Sequence, residues 1–249
     1  ILSMADTSTM ASLKQLRDIF APILAEHPDL VLRGRWLFRP PIESAIIGLY
    51  IGRTAYASDS HIALSVLPLS RFVWPSALGY SERFEVERAI GAQPTGHLIQ
   101  GTDEQQSRVF FDMFAPEYQA HLLRNFNAKV PAFLDAVRSF DDIVAWVRPF
   151  LEPERGGGGP DLTASWLATM QGDFAAASER LQTFSDRMSQ LRFWANSEER
   201  RDLAILRDIL LTGDRAAIAE FLHGMEAKTI AHHHLQRFWR RTPFPFEGA

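Results

Sequence analysis

At 249 residues and 46% hydrophobic, the chain can bury one large core or two modest ones. Its formal net charge is −4 and each half is net negative, with 14 basic against 16 acidic residues in 1–150 and 12 against 14 in 151–249, which argues against nucleic acid or an anionic membrane as a partner. With no cysteine, disulfides, thiolate nucleophiles, iron–sulfur clusters and cysteine-containing zinc sites are excluded, and a cytoplasmic location is expected.

In chain order, Leu13, Leu16, Phe20, Ile23 and Leu24 fall on one face of a helix that His27-Pro28 ends. The texture then changes. In DLVLRGRWLFRPP, Leu32, Trp36 and Phe38 alternate with Arg33, Arg35 and Arg39, the period of a half-buried strand. ESAIIGLYIGR is apolar on both faces, as a central strand is, and HIALSVLPL and RFEVERAI repeat the alternation. Together these predict a helix followed by an antiparallel meander of three or four strands. After Gly101 the pattern is helical, with Thr102 or Asp103 as an N-cap and further helices near 117–127, 130–138 and 140–151. EPERGGGGPDL, residues 152–162, is the expected linker, because four glycines hold regular structure at high entropic cost. The predicted organisation is an α+β domain over 11–151, the linker, and a helical-hairpin domain over 163–243.

Arg33, Arg35 and Arg39, joined by Arg53 from the next strand, form a candidate partner-binding face. No aromatic stacking residue shares it, so it reads as a protein-partner surface or a solvated face paired with Glu43 or Asp59, and not as a nucleic-acid platform. The catalytic signatures sought do not occur. There is no P-loop, no G-x-G-x-x-G and no H-E-x-x-H. GYSER, residues 79–83, has Arg83 where a nucleophile elbow needs its second glycine.

Residues 220–239, EFLHGMEAKTIAHHHLQRFW, hold four histidines and two glutamates in what looks like one helix. At 100° per residue, Ile218, Phe221, Leu222, Met225 and Trp239 share a face with His232, which predicts His232 as a packed histidine. Glu220, His223 and His234 fall opposite. His223 and His234 are separated by about 16 Å along a helix and cannot share one metal ion. The Glu220-x-x-His223 spacing does match one unit of a carboxylate-bridged di-iron bundle, with Glu117 and His121 as a loose second pair, and this gives the alternative of a metal-assisted enzyme. Glu226 reads more simply as a surface partner of His223. No metal and no other cofactor is expected.

The strongest positive signal is a repeat. QGDFAAASERLQTF from Gln171 aligns with TGDRAAIAEFLHGM from Thr212 at an offset of 41 residues, each copy preceded by an apolar helical run. Gly supplies a left-handed C-cap and Asp caps the next helix. Gly172, Asp173, Phe174 and Ala177 resemble the turn of tetratricopeptide-type repeats, which implies two helical hairpins in which small residues let paired helices approach. Ala176 and Ala217 are expected at those contacts, and a long final helix through Trp239 is expected to end at Pro243. Glu179, the equivalent of Glu220, has no histidine three residues on, which weakens the metal reading. The sequence therefore favours a non-enzymatic interaction protein of immunity, adaptor or accessory type that binds a protein partner. Arginine predominates over lysine, which occurs only at Lys14, Lys129 and Lys228, and with abundant alanine this fits a GC-rich bacterial genome.

Overall fold

A computed structural model describes residues 13–51, 62–70, 80–83, 116–148, 160–189 and 198–248. The fold is α+β. Helix α1 (Leu13–Glu26) precedes strands β1 (Val31–Arg33), β2 (Trp36–Phe38), β3 (Ala45–Ile51), β4 (Ile62–Pro68) and β5 (Tyr80–Arg83). Helices α2 (Pro116–Ala136), α3 (Phe140–Val147), α4 (Pro160–Met170), α5 (Phe174–Met188), α6 (Glu198–Thr212) and α7 (Arg215–His232) follow, with short 3-10 turns at Gln236–Phe238 and Pro245–Gly248. The strands form one sheet in sequence order, and β1–β2 and β2–β3 are antiparallel. The chain divides into two compact units, one of residues 1–40, 47–65 and 81–136, the other of 41–46, 66–80 and 137–249, with boundaries falling inside β3, β4 and β5. Among the described residues no helix is long and apolar enough to cross a membrane.

The single strand expected over 32–39 is a hairpin. Gly34, at φ +59°, and Arg35 form a two-residue loop that pairs Arg33 with Trp36. A positive φ at the first central residue twists the strands in the sense a hairpin needs, and glycine takes it without steric cost. Periodicity alone could not show this, because the alternation continues on both sides of the turn. All three residues of β2 are buried. Beside it, Gly48 of β3 pairs with Phe38, and a Cβ at Gly48 would collide with the Leu37 carbonyl oxygen. No side chain fits there.

The expected break near 127–130 is absent, and α2 runs from Pro116 through Pro131 to Ala136. An internal proline costs a helix about 3 kcal/mol. Leu122, Phe126, Val130, Phe133 and Leu134 are buried on either side of it, and that burial offsets the cost. In the same unit α1 buries Leu16, Ile19, Phe20 and Ile23, and His27 packs on Phe126 with ring centroids 5.2 Å apart. Strand β5 coincides with the Tyr80–Arg83 part of GYSER. An extended backbone there is not the sharp strand–helix turn that exposes a nucleophilic serine. The cap at 102–103, most of RFEVERAI and Gly156 to Gly159 lie outside the described residues.

The second unit contains the two hairpins. At each turn the glycine is left-handed, Gly172 at φ +78° and Gly213 at φ +67°. Each following aspartate caps a helix: Asp173 accepts from the Ala176 amide at 3.1 Å, and Asp214 from the amides of Ala216 and Ala217 at 3.0 and 3.1 Å. Helix α4 packs on α5, α5 on α6 and α6 on α7. The close approach falls one residue later than expected. Ala177 and its equivalent Ile218 are wholly buried, whereas Ala176 and Ala217 are only partly covered. The Ser165 hydroxyl donates to the Ala177 carbonyl at 2.7 Å, which fixes the approach of α4 to α5.

Candidate functional site

Three of the four arginines of the predicted face, Arg33, Arg35 and Arg39, lie within the described residues. The turn at Gly34 leaves Arg33 at the end of β1 and places Arg35 in the hairpin loop itself. Arg35 donates from Nη1 to the Ile51 carbonyl at 3.0 Å, and Arg39 is held between two carboxylates, Asp29 at 2.6 Å and Asp135 at 2.9 Å. Those hydrogen bonds and charges raise the Arg39 pKa, against an opposing effect of burial. Arg33 is exposed, Arg53 lies outside the described residues, and Glu43 pairs with Arg240.

The histidine-rich segment is arranged differently from its expected pattern. Helix α7 stops at His232, and His234 takes φ +56°. The amide of His234 reaches back to Ala231 and that of Leu235 to Ile230, closing the helix end. Trp239 is therefore not on α7. It instead forms an isolated parallel bridge with Ile42. Removing Trp239 from the helical face shifts that face, and the buried residues are Ile218, Ala219, Leu222, His223, Glu226, Thr229 and Ile230. His232, expected to be packed, is exposed, and His223, expected on the polar side, is buried.

His223 and Glu226 form the site. They lie one turn apart on α7, 3% and 1% exposed, with His223 Nδ1 2.7 Å from Glu226 Oε2. Glu226 is thus the partner of His223, but not at the surface. Glu220 points out to solvent, 3.3 Å from the Arg241 guanidinium. The i, i+3 acid–histidine pairing exists, but runs from His223 to the acid that follows it.

A strap formed by residues 240–248 covers the pair. Phe244 stacks on the His223 ring, centroids 4.4 Å apart and planes 23° from parallel. Phe246 meets Phe174 edge-on at 5.4 Å, and Arg215 donates to the Phe246 carbonyl at 2.8 Å. Glu247 accepts from the Phe244 amide, and its Oε2 lies 3.4 Å from His223 Nε2. That is a long ionic-range contact; His223 Nε2 and Glu226 Oε1 have no hydrogen-bond partner among the described residues. Behind the pair, Thr229 donates to the Leu69 carbonyl at 3.0 Å.

Burial disfavours the charged form of both groups. It pushes the Glu226 carboxyl up to about 8, with Arg241 opposing the rise and Glu247 adding to it. Burial and then Arg241 hold His223 below its ordinary value, against Glu247 and Glu220. Near neutral pH the arrangement is a neutral carboxyl beside a neutral imidazole, with one proton between Glu226 Oε2 and His223 Nδ1. Its chemistry is that of a proton store.

His121 belongs to the other unit. It is buried on α2, where Arg124 reaches its Nδ1 at 3.4 Å, and the Glu117 side chain is outside what is described. Among the described residues no group of three or more His, Asp or Glu is placed to hold a metal ion. Arg241, Phe244 and Glu247 were not visible as site residues in the sequence. The only signal was the aromatic run FPFE after the predicted helix end. No protein-family model, curated protein or solved structure matches the chain.

Proposed function

We propose that this is a non-enzymatic, cytoplasmic bacterial interaction protein of immunity, adaptor or accessory type, which binds a protein partner through its helical hairpins. The observation that carries this reading is on α6, where Ile205 and Leu211 are 50% and 68% exposed. Each projects from a helix that buries Leu203, Leu206 and Leu210 on its other side. Covering a large aliphatic side chain is worth about 1.5–3 kcal/mol, so two on one helix supply useful binding energy. Ile205 and Leu211 stay uncovered although α6 packs on both α5 and α7.

The test is retention of a protein partner at low salt by the wild-type chain and by the double variant Ile205→Glu, Leu211→Glu. A partner held by the first and lost by the second, with helical content unchanged, supports the reading. Equal retention by both would show that α6 is not the binding surface.

A further inference from the structure

We propose that the strap of residues 240–248 is a proton-controlled latch, closed while Glu226 holds its proton and released when that proton leaves. The coupling runs through the imidazole of His223. With Glu226 neutral, its O–H donates to His223 Nδ1. A neutral imidazole carries one N–H, so the ring proton then sits on Nε2, the nitrogen that faces Glu247 Oε2 at 3.4 Å. In that tautomer the Nε2 proton lies within ion-pair range of the Glu247 carboxylate, an attraction that favours the closed strap.

Loss of the Glu226 proton to solvent reverses the ring. The buried carboxylate requires a donor, and the one facing it is His223 Nδ1, so the ring proton moves from Nε2 to Nδ1. Nε2 is left with a lone pair facing the Glu247 carboxylate. An attraction becomes a repulsion at Glu247 Oε2, the same atom that accepts from the Phe244 amide. Release of Glu247 frees the Phe244 ring stacked on His223.

Among the described residues the charged groups that act on the pair are three. Glu220 on α7 and Arg241 and Glu247 on the strap act on His223, and Arg241 and Glu247 act on Glu226. On α6, Asp202 is paired with Lys228, and Arg207 is turned to Gln182 and Asp208. The Leu69 segment meets α7 through a carbonyl.

The pH window follows from the two shifts. The raised Glu226 pKa favours the closed strap fully below its ordinary 4.5, an advantage lost as pH rises through about 8. The lowered His223 pKa favours it above the ordinary 6.5, an advantage lost as pH falls through the depressed value. Below 6.5 the two slopes oppose each other. Between 6.5 and about 8 only the Glu226 slope remains, so the latch loosens there.

Amide hydrogen exchange and nitrogen-15 NMR of the full chain test this. Protection factors at Phe244 and Glu247, corrected for intrinsic exchange, should fall roughly tenfold or more from pH 6.5 to about pH 8.5. Over the same range His223 should change from the Nε2–H to the Nδ1–H tautomer. Glu226→Gln cannot ionise, so its strap protection should be flat. A steady protection in the wild-type chain, a tautomer that does not change, or a Glu226→Gln strap that still loosens would overturn the latch. If that variant does not fold, the wild-type tautomer decides alone.

Discussion

The two hairpins share a turn and differ in almost everything around it. Gly172-Asp173 and Gly213-Asp214 have the same left-handed glycine and the same aspartate cap. One residue further on, Phe174 and Arg215 occupy equivalent positions, and both meet Phe246, the first ring to ring and the second through its carbonyl. Beyond that the copies diverge. Helix α4 is buried at every residue from Ser165 to Met170, whereas α6 leaves Ala204, Ile205, Asp208 and Leu211 exposed. Gln182 of α5 donates to an exposed Asp186, while its equivalent His223 is sealed against Glu226. A turn is specified by the residues that make it. What a helix face does depends on what is laid over it.

That contrast can be broken first at the inter-helix contact. Ile218→Ala should cost about 2–5 kcal/mol in urea denaturation, because a wholly buried branched side chain leaves a cavity. Ala177→Ile, at the equivalent position, should cost about 1–3 kcal/mol for the opposite reason, overpacking. If the swap is neutral at both positions, the two contacts are not equivalent in depth.

The next effect tests whether the turns are alike in spite of their surroundings. Gly172→Ala and Gly213→Ala should each cost about 1–2 kcal/mol, since both positions require positive φ. A Cβ at Gly172 would meet Phe246 at an ordinary 3.8 Å and one at Gly213 would meet nothing. Costs that differ by more than the error would place the penalty in packing and not in the backbone. Smaller again, Asp173→Ala and Asp214→Ala should each cost about 1 kcal/mol by loss of the cap. The smallest effect is expected on α6, where Ile205→Glu and Leu211→Glu should each change stability by no more than about 0.5 kcal/mol.

The same contrast explains what was legible in the sequence. Gly172, Asp173, Gly213 and Asp214 could be read because turn chemistry is local and the repeat displayed it twice. The α+β organisation followed from the change of hydrophobic period after Gly101. The inversion of His223 and His232 has a specific cause. Counting Trp239 as helical rotated the apolar face, and nothing within the helix marks the left-handed residue at His234. Glu226 was unreadable for a deeper reason. A glutamate on an amphipathic helix is ordinarily solvated, and its burial here depends on Phe244 and Glu247, some twenty residues later. Arg39 shows the same limit, since one of its two carboxylates, Asp135, is 96 positions away.

Trp36 and Trp166 are each 1% exposed, and they fall in different compact units. Trp36 packs against Tyr50 at 4.9 Å in the first, and Trp166 donates to the Ser70 hydroxyl at 3.1 Å in the second. Among the described residues each unit therefore has one wholly buried indole, each in its own chemical setting. In variants that keep a single one of these two as the only tryptophan, intrinsic fluorescence becomes a separate gauge for each unit. Coincident unfolding curves from the two gauges would mean one cooperative molecule, and separated curves two that melt in turn.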